Sequence, residues 1–185
     1  LERAAQSQAI GLGVASLDLL PRVIDASLDQ SLDYLLLDGS GGIAQEWSEI
    51  HHAPQLDVLR ETMAILRRLQ REEAFDLIYF GGVRSGTDAA KLIGMGANAL
   101  VLGAAIGFAV GGVMTDHGLQ FGSDYTDEDR ISATVNVIKA SIGEASMMAR
   151  CIGKTNLHNV EPEDLRAVTL AAAHASGIPL VGRQA

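Results

Sequence analysis

The chain has 185 residues and a net charge of −9, and 48% of its residues are apolar. This length gives room for one domain with a hydrophobic core, and the charge argues against nucleic acid and anionic membranes as partners. Residues 1–9 lack the apolar core of a signal peptide, and residues 100–114 are too short and too rich in glycine to span a bilayer. The single cysteine, Cys151, excludes an internal disulfide, so we expect a cytoplasmic protein.

The first third of the chain alternates between predicted strands and helices. Residues 9–14 and 32–37 are short apolar runs, which are typical of buried parallel strands. Residues 17–26 predict a helix between them, with Pro21 in the first turn, where its missing N–H costs nothing. Residues 56–71 predict the clearest helix, because leucine and methionine recur on one face with charged residues mostly opposite.

Two further strands are predicted at residues 77–80 and 99–102, and each ends in a glycine turn. A helix over residues 89–95 separates them, with Thr87 or Asp88 as its N-cap. The resulting order of four strands and three helices predicts a parallel sheet with right-handed crossovers. Four strands are too few to close a barrel, so they form either half of an eight-stranded barrel or a small open sheet.

The chain beyond residue 115 has a different character. Residues 116–125 are polar and predict a loop, and Thr126 and Asp129 predict a capping box at the start of a helix over residues 130–151. We expect the apolar stripe of this helix to pack across the barrel or against another chain. The stripe consists of Ile131, Val135, Ile138, Ile142, Ala145 and Met148.

These patterns divide the chain into two parts. Residues 1–115 carry the glycine turns and form the predicted half-barrel. Residues 116–185 form a helical C-terminal extension packed on the barrel, and they end in a helix predicted over residues 165–174.

The two glycine turns that follow the third and fourth predicted strands indicate a phosphate site. Glycine lets the backbone approach a ligand closely, and backbone N–H groups supply hydrogen-bond donors to an anion. Parallel β/α barrels bind phosphate after their seventh and eighth strands in this way. Arg84 follows the first turn and can add positive charge, although an arginine exposed to solvent at the start of a helix is the alternative.

Segments across residues 9–182 resemble the FMN-binding barrels of glutamate synthase-like proteins, including subunits related to N-methylglutamate synthase. The similar motifs are Asp38-Gly39-Ser40-Gly41-Gly42, Gly81-Gly82-Val83-Arg84-Ser85-Gly86, Gly103-Ala104-Ala105 and the tail at residues 151–166. The matching strands of that family are the last four of its barrel. The resemblance therefore implies an α/β fold, the C-terminal half of a TIM (β/α)8 barrel of FMN-oxidoreductase type with added C-terminal helices.

The resemblance also implies a function and a set of cofactor contacts. The implied reaction is FMN-dependent reduction of an imine, made from a 2-oxo acid and ammonia or an amine, to an amino acid. The catalytic residues stay unassigned. For Asp38, the alternative to a cofactor contact is a structural cap. These contacts to FMN are Asp38, Gly39, Gly41, Gly42, Gly81, Gly82, Val83, Arg84, Gly103 and Ala104.

Three features depart from the family pattern. Phe80 replaces the acidic residue expected before Gly81, and Ile43-Ala44-Gln45 replaces the usual Thr-Gly-Ala. Cys151 is the only cysteine, so the three-cysteine iron–sulfur cluster of glutamate synthases is not expected. We expect no metal site, because the adjacent residues His51 and His52 point in different directions and fit a solvated loop.

The expected partners follow from the missing half of the barrel. We expect a polypeptide that carries the first four strands, or association with a second copy, in addition to the small-molecule substrate. One alternative is a non-catalytic half-barrel that supplies only the phosphate site to a partner. A barrel like that of IMP dehydrogenase or the 2-hydroxy-acid oxidases is another, although the catalytic cysteine loop of IMP dehydrogenase is absent from the sequence.

Overall fold

The computed structural model describes residues 8–41 and 47–182, which contain a four-stranded parallel sheet. Each strand pairs with the next strand along the chain, so spatial order equals chain order, as in consecutive units of a β/α barrel. All four predicted strands are confirmed, with ends shifted by one or two residues. They are β1 (Gly11–Val14), β2 (Tyr34–Asp38), β3 (Asp76–Phe80) and β4 (Ala99–Val101).

Helices connect these strands and continue after the last one. The helices before β4 are α1 (Leu20–Asp29), α2 (Ser48–His51), α3 (Asp57–Leu69) and α4 (Gly86–Gly94). The later elements are α5 (Ala104–Ala109), β5 (Gly112–Thr115), β6 (Gly118–Phe121), α6 (Asp127–Cys151) and α7 (Leu170–Ser176). The final helix begins later than predicted, because Pro162–Asp164 forms a separate 3-10 turn and Thr169 provides the cap of α7.

One face of the sheet is buried under helices. Successive side chains of a strand point to opposite faces, and Leu35, Leu37, Leu77 and Tyr79 share the face that packs on α1 and α3. Each of these four residues is at most 1% exposed. The continuous apolar runs in the sequence therefore place the strands in a core built with the stripe of α3.

The opposite face of the sheet is only partly covered. Leu36 and Ile78 pair across this face and are half-buried, and Val101 at its edge is 38% exposed. In a closed barrel, this face points inward and packs against side chains from the other strands. The sheet therefore presents a barrel interior that the described residues do not fill.

Ser85, rather than Thr87 or Asp88, is the N-cap of α4. Its backbone is extended and its hydroxyl accepts a hydrogen bond from the N–H of Asp88 at 3.4 Å. The side chains predicted as caps have other partners: Thr87 donates to Glu144 of α6, and Asp88 pairs with Arg84 and Lys91. The predicted cap positions were wrong, since Ser85 precedes both and the partner of Thr87 lies on a distant helix.

The segment predicted as a loop at residues 116–125 contains strand β6, which forms an antiparallel hairpin with β5. The hydroxyl of Thr115 donates to the carbonyl of Gly118 across the turn at 2.8 Å. Trp47 packs on this hairpin, with its ring centroid 6.2 Å from that of Phe121. The helix α5 was also missed, because the sequence reads as a strand followed by a buried turn.

The long helix α6 begins with the predicted capping box, in which Thr126 and Asp129 exchange hydrogen bonds. It packs on α4, and its small residues Ala145 and Ala149 are buried. The rest of its apolar stripe does not pack across the barrel within the described residues: Ile131 is 64% and Ile142 is 61% exposed. Contact of the stripe with another chain stays a prediction.

Gly86 makes the close approach of α4 and α6 possible. A Cβ on Gly86 would lie 2.6 Å from the backbone nitrogen of Ala145, whereas a Cβ on Gly143 would meet nothing within 4 Å. We expect Gly86→Ala to lower the free energy of unfolding by about 1–3 kcal/mol, because it forces the helices apart. The matched control, Gly143→Ala on exposed helix surface, should raise it by about 0.5–1 kcal/mol. Urea denaturation measures both, and equal effects would contradict this view of the α4–α6 contact.

Candidate functional site

A cavity of about 640 Å³ lies at the carboxyl ends of β3 and β4. Three of the turn residues predicted from the sequence line it together with Ala104, the first residue of α5. The other walls come from α2 and the chain that follows it, from α5 and from α6. The lining residues are Gly82, Val83 and Arg84; Ala104, Ala105 and Phe108; Glu49, Ile50, His52, Ala53 and Pro54; and Val137.

The turn after β3 requires two glycines. Gly81 has φ of 137° and Gly82 has φ of 66°, a region that side chains with a Cβ rarely adopt. A Cβ on Gly82 would lie 2.7 Å from Pro54, and one on Gly81 would lie 2.7 Å from the carbonyl carbon of Gly39. These glycines therefore let the turns after β2 and β3 meet at the edge of the cavity.

The turn after β4 binds an anionic oxygen of the chain itself. The backbone N–H of Ala104 donates to Oε1 of Glu49, and a Cβ on Gly103 would overlap this carboxylate. A backbone N–H at the start of a helix is a suitable donor to a negatively charged oxygen. The turn therefore offers a donor suited to an anionic oxygen, and the Glu49 carboxylate takes it.

Arg84 lines the cavity, but its side chain is directed elsewhere. The guanidinium Nε lies 3.1 Å from Oδ2 of Asp88, and the Arg84 side chain is 81% exposed. This is the solvent-exposed position that the sequence left as the alternative. A role as counter-charge to a bound anion stays a prediction.

Asp38 ends β2 in a buried polar network. Its Oδ1 accepts hydrogen bonds from the N–H of Ser40 at 2.9 Å and from the Ser40 hydroxyl at 2.6 Å. The Ser40 hydroxyl also lies 2.8 Å from that of Ser48 in α2. Asp38 thus caps the turn, while its Oδ2 is buried and has no hydrogen-bond partner within residues 8–41 and 47–182.

Tyr79 contacts the turn that follows β2. Its hydroxyl lies 3.3 Å from the carbonyl oxygen of Gln55 and packs against Gly39, which has no room for a Cβ. Burial raises the pKa of Tyr79, and the nearby Asp38 carboxylate raises it further. Tyr79 therefore stays protonated and donates its hydrogen bond across the usual pH range.

The other predicted site residues lie around this arrangement. Gly39 contacts Gly81 and Tyr79, and Gly41, with φ of 97°, packs against His52. Gly42 and the substituted tripeptide at residues 43–45 lie outside the described residues. The structure thus brings the turns after β3 and β4 together at one cavity. It places Asp38 in a separate hydrogen-bond network with Ser40 and Ser48 of α2.

Glu49 is the contact that sequence reasoning missed. It lies in an unremarkable polar stretch, and only the fold brings it next to Ala104. Within the described ranges, no group of three or more histidine, cysteine or acidic side chains is placed to hold a metal ion. Nor does any helix of those ranges have the length and apolar character needed to cross a bilayer.

Comparisons with known proteins include a similar curated sequence. No protein-family model matches the chain. A glutamate synthase large subunit-like protein of Rhizobium meliloti (strain 1021) is 32% identical over 183 aligned positions, which cover 81% of this chain and 41% of the relative. The chain thus spans about two fifths of the length of this relative.

Solved structures confirm the predicted fold class, the parallel β/α units of a TIM barrel. A flavocytochrome b2 double mutant with pyruvate bound matches with a TM-score of 0.62 and 23% identity, covering 97% of this chain and 38% of that one. The recombinant flavin-binding domain of baker's yeast flavocytochrome b2 matches with a TM-score of 0.61, 22% identity and the same coverage. DHODH from Eimeria tenella in complex with ferulenol matches with a TM-score of 0.52 and 14% identity, covering 85% of this chain and 38% of that one.

The raised pKa of Tyr79 predicts a loss of stability at alkaline pH. Above pH 10, the usual pKa of tyrosine, the unfolded chain releases this proton while the folded protein keeps it. The folded state then holds about one more proton than the unfolded state, so the free energy of unfolding falls as the pH rises. We expect Tyr79→Phe to reduce this fall, measured by urea denaturation between pH 9 and 12. Tyr125→Phe is the control at an exposed tyrosine, and equal slopes in the two variants would contradict the assignment.

Proposed function

We propose that this chain is part of an FMN-dependent oxidoreductase of the glutamate synthase type and contributes the half-barrel that binds the FMN phosphate. The observation that carries this proposal is the cavity at which the glycine turns after β3 and β4 meet. There, the N–H of Ala104 already binds an anionic oxygen. The glutamate synthase-like name of the relative and the flavin-binding domain among the structural matches support FMN as the ligand.

The chain's own residues bind and orient the cofactor. The backbone N–H groups of Gly82, Val83 and Ala104 donate to the phosphate, and Gly81 and Gly103 leave room for it. Arg84 adds positive charge at the rim of the cavity. FMN, when bound, supplies the hydride chemistry. The role of this half-barrel is therefore to fix one end of the cofactor.

The proposed reaction is reduction of an imine, formed from a 2-oxo acid and ammonia or an amine, to an amino acid. The name of the relative favours this reaction over those of IMP dehydrogenase or the 2-hydroxy-acid oxidases. A non-catalytic half-barrel would use the same phosphate site and differ in leaving the redox chemistry to its partner. Flavin reduction by an amino acid, followed at the flavin absorbance band, distinguishes the two once the complete barrel is assembled.

The partner in this proposal completes the barrel. The half-covered sheet face and the unpaired outer edges of β1 and β4, within the described ranges, leave room for further strands. An open cavity of about 360 Å³ also separates Leu100 and Leu102, on and after β4, from Ile138 and Ile142 of α6. A strand paired with β4 would place apolar side chains in this gap. We propose that four further strands occupy this side, supplied by another polypeptide segment or by a second copy.

Removing one phosphate donor tests the cofactor proposal. Ala104 is the first residue of α5, where proline is tolerated, so Ala104→Pro removes its N–H and should leave the helix intact. We expect FMN to bind at least tenfold more weakly, because a hydrogen bond to a charged group is lost. Quenching of flavin fluorescence on titration gives the affinity.

Leu170→Pro is the matched control, since it places proline at the first residue of the exposed helix α7. It should leave FMN affinity unchanged. An unchanged affinity in Ala104→Pro, with wild-type circular dichroism, would argue against a phosphate at this turn.

A charge in the α6 stripe tests the partner proposal. Ile138 is 40% exposed, so Ile138→Asp should change the melting temperature of the isolated chain little and should weaken the assembly by at least tenfold. Size-exclusion chromatography with light scattering measures the assembly. Val168→Asp, at an exposed position outside this surface, is the control. A monomer of 19.5 kDa that turns over substrate would rule out the proposed partner.

A further inference from the structure

We propose that Glu49 is an internal competitor for the phosphate site, which a ligand must displace in order to bind at Ala104. The inference rests on the proposed function, because it assumes that phosphate binds at the turn after β4. It adds a residue that determines which anions the site accepts.

The geometry makes the two anions mutually exclusive at this turn. Oε1 of Glu49 accepts the hydrogen bond of the Ala104 N–H, and the carboxylate fills the space beside Gly103. A phosphate oxygen bound to the same N–H would lie in contact with the carboxylate, and like charges at that distance repel strongly. Phosphate therefore binds only after the Glu49 side chain has left.

The segment that carries Glu49 is held in place at several points. Ser48, the preceding residue, contacts Ser40 through their hydroxyl groups at 2.8 Å, and the N–H of Gln55 donates to the carbonyl of Gly39 at 2.8 Å. These contacts fix the chain on both sides of Glu49 and so hold its backbone near Ala104.

A pre-bound carboxylate selects for ligands that make further contacts. At Ala104 a simple anion gains only the hydrogen bond that Glu49 already makes, so it displaces the carboxylate poorly. A phosphate monoester has the same charge as inorganic phosphate, but its organic part adds contacts elsewhere in the cavity. The predicted ligand class is therefore a phosphate monoester, with free inorganic phosphate held weakly.

Titration of the full chain with inorganic phosphate, followed by calorimetry, tests this inference. We expect Glu49→Ala to bind phosphate at least tenfold more tightly than the wild type, with Glu49→Gln between the two. Glu72→Gln is the matched control, because it removes the same charge at an exposed position and should bind as the wild type does. Adding Ala104→Pro to Glu49→Ala should cancel the gain.

The outcomes separate this inference from the proposed function. If phosphate binds the wild type and both Glu49 variants equally, or binds the variants more weakly, Glu49 is not a competitor, and the phosphate site stands. If no protein in the series binds phosphate or FMN, the phosphate site is wrong, and the inference is overturned with it. Glu49→Gln decides the question if circular dichroism shows that Glu49→Ala does not fold.

Discussion

The burial of one face of the parallel sheet under α1 and α3 is the constraint on which the rest of the structure depends. Leu35, Leu37, Leu77 and Tyr79 each remove an apolar side chain from water, and a shift by one residue would turn them all to the other face. Full burial of one such side chain stabilises a fold by about 1.5–3 kcal/mol. Register is therefore fixed, and with it the level at which each strand ends. The glycine turns meet at one cavity because the core aligns the strands that precede them.

The parts of the fold that the sequence predicted are those with a local physical cause. The capping box of α6 needs only Thr126 and Asp129, and the turn after β3 needs two adjacent glycines with positive φ. The unpredicted parts depend on contacts distant in sequence. Thr87 of α4 pairs with Glu144 of α6 instead of capping its own helix, and the hairpin packs on Trp47.

The candidate site shows the same division. The positions of Gly82 and Ala104 beside one cavity follow from the strand–turn pattern, so sequence reasoning could place them together. The partner of Arg84 and the carboxylate at Ala104 could not be read from the sequence, because side-chain direction is set by neighbouring elements. Arg84 and Glu49 are the charged residues that line the cavity. Only the Glu49 carboxylate contacts a backbone N–H of a turn, whereas Arg84 pairs with Asp88.

Trp47 is the only tryptophan in the chain, and its indole lies where the start of α2, α5 and the β5–β6 hairpin meet. Trp47 directly precedes α2 and has a left-handed backbone with φ of 56°. Its indole packs against Gly107 of α5 and Gly118 of the hairpin. Indole emission depends on the polarity around the ring. The protein therefore contains an intrinsic optical probe, and relative movement of these three segments can be followed by its emission wavelength without a label.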